Sequence, residues 1–200
     1  MPPLTGFFFL RDRLFRYVWL VAALLSGCAA LEPLPAAPPA AAVIEAFHLV
    51  GRVSVRYGDD GFSGAIDWRH GPASDEVLIL SPLGQGVAQL TRDGSGVTLV
   101  TSDQRVFRAQ DAESLTEQVL GWRLPLAGLS YWVQAQPRVG SAAAVHRDAN
   151  GFVDRVTQDG WLVEYSGYRE FSVGVLPARI FMDSADLRLK LAVDEWRREP

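Results

Sequence analysis

The chain has 200 residues, 19 basic and 23 acidic side chains, a net charge of −4, one cysteine and three histidines. The acidic balance excludes a nucleic-acid protein, which needs a basic stripe, and a single cysteine excludes a disulfide framework. Nearly half of the residues are hydrophobic (48%), enough for a sizeable core.

The N-terminus reads as a targeting segment. Arg11, Arg13 and Arg16 form a basic region ahead of the apolar run YVWLVAALL (17–25). That run is shorter than the roughly 20 residues that span a bilayer. It ends in LSGC (25–28), small residues before Cys28 that resemble a bacterial lipobox. The lipobox implies a signal peptide over 1–27, diacylglycerol on the Cys28 thiol and an acyl chain on its new amine. Ala29 in place of Asp implies sorting to the outer membrane. The alternative is an ordinary secretory signal that leaves Cys28 as a free thiol. Without residues 1–27, which hold three Arg and one Asp, 16 basic side chains face 22 acidic ones, a net charge of −6. Membrane contact beyond the anchor is then hydrophobic rather than electrostatic.

Residues 28–42 carry the Pro/Ala-rich stretch AALEPLPAAPPAAA (29–42), a semi-rigid linker. At about 3.1 Å per residue it holds the domain up to roughly 40 Å from a bilayer. AAAVIEAFH (40–48) allows a short helix, and residues 43–200 form a single domain.

Period-two alternation dominates that domain. FHLVGRVSVRY (47–57) sets Phe47, Leu49, Val53, Val55 and Tyr57 against His48, Arg52, Ser54 and Arg56. FSGAIDW (62–68) and LRLKLAV (187–193) alternate in the same way. The pattern predicts antiparallel sheet with one wet face. Turn signals recur at GDDG (58–61), HGPASD (70–75), RDGSG (92–96), SDQ (102–104), DANG (148–151) and YSGYRE (165–170), as in a meander or up-and-down barrel.

ILSPLGQGVAQL (79–90) contains an oddity. Turns are normally polar, yet Leu83 stands at this one, between Pro82 and Gly84. Exposing it forgoes about 1.5–3 kcal/mol of burial, so an apolar partner is expected.

The meander breaks at DAESLTEQVLGW (111–122), a helix that Asp111 caps and Gly121 ends. PLAGLSYWVQ (125–134) adds a second short helix led by Pro125. Strands, helices and strands again predict a curved sheet with helices across its open face.

Catalytic and metal chemistry find little support. His48, His70 and His146 stand apart and read as exposed polar side chains, no G-x-S-x-G occurs, and GQG (84–86) is too short for a dinucleotide loop. Asp59 and Asp60 read as a solvated hairpin turn, and Asp183 with Asp186 as the turn before the last strand. The tryptophans beyond residue 27 are either ordinary core or the lining of an apolar cavity.

In order, LVGRVSV, GFSGAIDWRH, LILSPLGQGVAQL, LGWRLPLAGLSYWV, QDGW and LPARIFM, after a lipobox, resemble the LolB family of outer-membrane lipoprotein receptors. The resemblance covers nearly all of the chain beyond the signal. It implies a mainly β single domain: an unclosed antiparallel barrel of about eleven strands, capped by short helices that enclose an apolar cavity, as in LolA-like carriers. It implies a lipid-anchored protein facing the periplasm, not an enzyme, a monomer with no cofactor beyond the acyl groups of Cys28. Its partners would be a LolA-like carrier, acylated lipoproteins as cargo and outer-membrane phospholipids. Membrane insertion maps onto the loop of Leu83, Pro82 and Gly84. For the acyl-binding cavity, alternation and helix position favour Trp68, Trp122, Leu129, Trp132 and Trp161. The alternative function is an anchored binding or assembly lipoprotein without transfer activity.

Overall fold

The computed structural model describes residues 42–120, 123–185 and 187–199. The expected signal peptide, acylated Cys28 and nearly all of the linker lie outside the described residues, as do Trp122 and Asp186.

Among the described residues, eleven strands and two helices follow in the order β1 (Phe47–Tyr57), β2 (Asp60–His70), β3 (Asp75–Leu80), β4 (Gly86–Asp93), β5 (Gly96–Thr101), β6 (Val106–Ala109), α1 (Ala112–Leu120), α2 (Leu126–Trp132), β7 (Ala143–Arg147), β8 (Val153–Gln158), β9 (Trp161–Phe171), β10 (Gly174–Ser184) and β11 (Leu187–Arg198). They form one sheet in the order β6-β5-β4-β3-β2-β1-β11-β10-β9-β8-β7. Every ladder is antiparallel. The sheet does not close, because β6 and β7 are both edges. The helical segment joins those two edge strands, so the connection that crosses the gap also carries the cap. This is the half-barrel expected from strands, helices and strands in that order.

Alternation selects the inner face. On β1, Phe47, Leu49 and Val53 are buried while Arg52 and Arg56 are exposed. On β11, Leu187, Leu189, Leu191 and Val193 are buried in strict alternation. The β1–β11 register then shifts at Val50/Gly51, where Val50 pairs with Glu195 and Gly51 with Val193. The extra residue changes the phase by one and turns Trp196 inward, where it meets Phe47 edge-on at 4.7 Å. Gly51 is required there, since a Cβ would sit 2.4 Å from the Ala192 carbonyl oxygen.

Helix α1 begins where its cap predicts, with the Asp111 carboxylate accepting from the Ser114 backbone N–H at 2.7 Å. Three expectations need correction. Residues 42–46 are not helical. The Ile44 N–H and C=O are instead taken by the Gln134 amide at 2.8 and 3.1 Å, which offers that backbone partners without a helix. YSGYRE (165–170) is not a turn but lies inside β9. Gly167 takes a positive φ of 65° within the strand while Ser166 and Tyr168 still pair with β10, and the chain reverses at Ser172–Val173. The histidines are not uniformly exposed. His48 is buried against Asp67 at 2.9 Å and His70 lies 2.6 Å from Asp75; only His146, beside Asp154, stands in solvent.

Candidate functional site

The inner face carries a cavity of about 480 Å³ over the β1–β5 half of the sheet. Two rows of side chains build its wall. Ile66, Ile79, Ala88 and Thr101 are direct cross-strand partners on β2–β5, and so are Trp68, Val77, Leu90 and Leu99 one pleat further along. All eight line the cavity. Val53 and Val55 of β1, Met182 of β10 and Leu189 and Leu191 of β11 close the far side, and Leu124, Leu126, Leu129 and Val133 form the roof.

Apart from Tyr57 and Asp60 at the mouth, the polar side chains at this wall are Thr116, Thr101 and Trp68, and each is spent within the protein. Thr116 Oγ1 donates to the Ala112 carbonyl at 2.8 Å and accepts from the Leu124 N–H at 2.8 Å. Thr101 Oγ1 donates to Asp103. The Trp68 indole N–H donates to Asp75 at 2.9 Å. The cavity therefore offers dispersion and water exclusion rather than hydrogen bonds, which selects hydrocarbon. Among the described residues, no three His, Cys, Asp or Glu side chains converge as a metal site would require.

Tyr57, Asp60, Gly61, Val87 and Thr101 stand at strand ends and also line the cavity, so it reaches the end of the sheet where β1–β2, β3–β4 and β5–β6 turn. The Leu83 loop is at that end. It is short and tied: Ser81 N–H donates to the Gln85 carbonyl at 2.8 Å, and Gly84 N–H to the Ser81 carbonyl at 2.8 Å. The Gln85 N–H reaches Ser81 Oγ at 3.2 Å. Gly84 closes the turn with φ 80°, a conformation glycine adopts without strain. Leu83 is 87% exposed, far beyond any other large hydrophobic side chain of the loop or its strands. Ile79 and Val87, four residues to either side, both face the cavity.

Of the residues expected to bind acyl chains, Trp68 and Leu129 line the cavity, whereas Trp132 and Trp161 do not. That pair fills the opposite half, with ring centroids 5.8 Å apart. The Trp132 indole N–H donates to the buried Gln158 side-chain oxygen at 2.9 Å. The reason is the direction of α2: Leu129 and Val133 face one half of the barrel and Trp132 the other. Sequence reasoning passed over the aliphatic wall, Val53, Ile66, Ile79, Leu90 and Leu99, although their alternation was visible. Aromatic residues drew attention that belonged to these positions.

In the filled half, burial pushes the Tyr165 and Tyr168 phenols above their ordinary value, so both stay neutral. The Tyr168 hydroxyl donates to the Val153 carbonyl at 2.6 Å.

Comparisons with known proteins agree with this architecture. The family described as Outer membrane lipoprotein LolB matches residues 45–196. A protein of Thiobacillus denitrificans named outer-membrane lipoprotein LolB is 40% identical over 176 residues, covering 88% of this chain and 93% of its own. One of the same name from Nitrosomonas europaea is 44% identical over 157 residues, 78% of this chain and 74% of its own. Among solved structures, a LolA superfamily protein of Nitrosomonas europaea superposes with a TM-score of 0.50 at 11% identity, over 78% of this chain and 87% of that one, a likeness of fold alone. A half-barrel over an apolar cavity, read together with a sequence match across the whole domain, places this chain in the LolB family of outer-membrane lipoproteins.

Proposed function

We propose that the chain is an outer-membrane lipoprotein receptor, which accepts acylated lipoproteins from a LolA-like periplasmic carrier and releases them into the inner leaflet of the outer membrane. The observation that carries this reading is an apolar cavity beside a short, hydrogen-bonded loop whose Leu83 is 87% exposed. A cavity of this kind shelters acyl chains at about 25 cal/mol per Å² of apolar surface. A leucine held in water beside its mouth has the bilayer as its partner. No covalent bond changes in the transfer, so neither catalytic group nor cofactor enters it. Cys28, acylated, tethers the domain to the outer membrane with its cavity facing the periplasm; several acyl chains make that attachment stable where one is marginal. The receptor acts as a monomer on cargo delivered one molecule at a time.

The direction of transfer follows from rising hydrophobic contact, from carrier to receptor to bilayer. Leu83 acts in the last step, with Pro82 and Gly84 fixing the turn that presents it. Replacing it by Glu exchanges a side chain that enters hydrocarbon favourably for one that costs about 3 kcal/mol there, on the order of a hundredfold in rate. The test is transfer of an acylated lipoprotein from carrier to receptor to liposomes. Leu83→Glu should accept cargo normally and release it about a hundredfold more slowly. Cys28→Ala should strip cargo from the carrier while free in solution. Release at the wild-type rate by Leu83→Glu would remove the loop from the mechanism. Failure to bind any acylated protein would favour an anchored assembly module instead.

A further inference from the structure

Directly beyond the Trp68–Val77–Leu90–Leu99 row, the next inward-facing row is Phe47, His70, Asp75, Arg92 and Val97, again paired strand by strand. None of these five lines the cavity. The apolar lumen thus ends on Trp68, and the layer behind it carries charge on the inside of the barrel. Asp75 is 3% exposed and both of its oxygens are paired. Its Oδ1 accepts the Trp68 indole N–H at 2.9 Å and lies 2.6 Å from His70 Nδ1. Its Oδ2 accepts from Arg92 Nε at 2.5 Å. Arg92 also reaches the Gly71 carbonyl at 3.5 Å. Phe47 backs the Trp68 ring edge-on at 5.1 Å.

A carboxylate buried inside a hydrocarbon-binding barrel is costly unless every oxygen is paired. Here the pairing runs through Trp68. The indole cannot turn aside without taking one partner from Asp75 and leaving its own N–H unsatisfied, a penalty that apolar packing alone would not impose. A chain end advancing past Trp68 would meet an ion pair whose carboxylate is buried.

We propose that Asp75 and Arg92 are positioning residues that fix Trp68 as the floor of the cavity, and that this floor sets the longest acyl segment the receptor shelters. The inference rests on the reading of the cavity as an acyl site. Up to that length each added methylene tightens binding about fourfold, and beyond it further methylenes stay in water and add nothing.

The test titrates a homologous series of saturated fatty acids into the full chain by calorimetry. Cys28→Ala is carried in every variant so that the protein's own acyl groups do not compete. The background chain should gain affinity with length up to a sharp plateau. Trp68→Phe, which shortens the floor and deletes its N–H, should move the plateau to longer chains. Asp75→Asn and Arg92→Gln should do the same while leaving the affinity for short chains within about twofold of the background. That pattern separates positioning from loss of fold, which would weaken all lengths together. Arg92 keeps about a third of its side chain in solvent, so Arg92→Gln decides the matter if Asp75→Asn does not fold. An unchanged plateau in Trp68→Phe, in Arg92→Gln and in folded Asp75→Asn overturns the proposal, as does a background chain with no plateau. A background chain that binds none of the series overturns the acyl-site reading itself.

Discussion

The two halves of the barrel are made from the same alternating aliphatic strands and end differently. Over β1–β5 the segment 124–133 stands off the sheet and leaves about 480 Å³. Over β8–β10 the space is full: Val156, Val163 and Ile180 are completely buried, and Trp132 drops in from α2 to meet Trp161. The difference lies in one helix and one glutamine. Gln158 is buried, and its amide accepts from Trp132 and from the Arg138 backbone N–H, and donates to the Arg138 and Ser141 carbonyls. Gly128 makes room for the Trp132 ring, because a Cβ there would come within 2.9 Å of it. A helix clamped so firmly on one side can hold an unfilled roof on the other. The packed half supplies the stability that lets the other half stay hollow, a division forced by the cost of empty apolar space.

The comparison breaks first at Trp132. Trp132→Ala should cost about 3–5 kcal/mol, lowering Tm by roughly 10 °C in a domain of this size. Ile79→Ala, on a half-buried wall that already borders empty space, should cost less than about 1.5 kcal/mol. Equal losses in urea unfolding would mean that the halves are not energetically distinct. Next comes Gln158→Leu. It strands the buried Trp132 indole N–H, at about 1–3 kcal/mol, and because α2 also carries the Leu129 and Val133 roof, fatty-acid affinity should weaken with it. Ile79→Trp reverses the logic. Added volume enters a cavity rather than a packed core, so stability should hold within about 1 kcal/mol while fatty-acid affinity falls about tenfold.

Much of this contrast was written in the sequence, and one part was not. Alternation is local, so Phe47–Tyr57 was readable as a strand and its inward face as Phe47, Leu49 and Val53. Asp111 marked the start of α1 because capping involves only the next three residues. Leu83 betrayed itself by being apolar in a turn, a conflict visible without any tertiary information. The division of the tryptophans was hidden. Whether Trp132 lines the cavity or plugs the far half depends on how α2 is rotated against β8, and that is fixed by Gln158, 26 residues away. The phase change that turns Trp196 inward was hidden for the same reason, since a bulge is a property of the β1–β11 pairing and not of either strand. His70 and Asp75 looked like solvated turn residues because only the ladders from β1 to β4 reveal that they face inward. Gly167 signals a turn locally, while β10 keeps the strand paired on either side of it.

The smallest expected effect tests the outer fastening of the packed half. Arg138 follows α2 and clasps Asp159, in the β8–β9 turn, at 2.8 and 3.2 Å, and Ser141 Oγ donates to the same oxygen at 3.2 Å. The guanidinium hydrogen bonds hold the Asp159 carboxyl below its ordinary value of 3.8, with desolvation opposing and Ser141 assisting. A carboxyl lowered on folding stabilises the folded state above its unfolded value, and the contribution is lost as pH falls through the lower, folded one. Asp159→Asn keeps the backbone content, because Asn tolerates the positive φ of 52° found there. The substitution should therefore destabilise slightly at neutral pH, and the gap between variant and parent should close as pH is lowered past 3.8. Acyl affinity should not follow that titration, because the clasp lies on the half opposite the cavity. A matching pH dependence in fatty-acid binding would show that strain at the β8–β9 turn reaches the hollow side through α2.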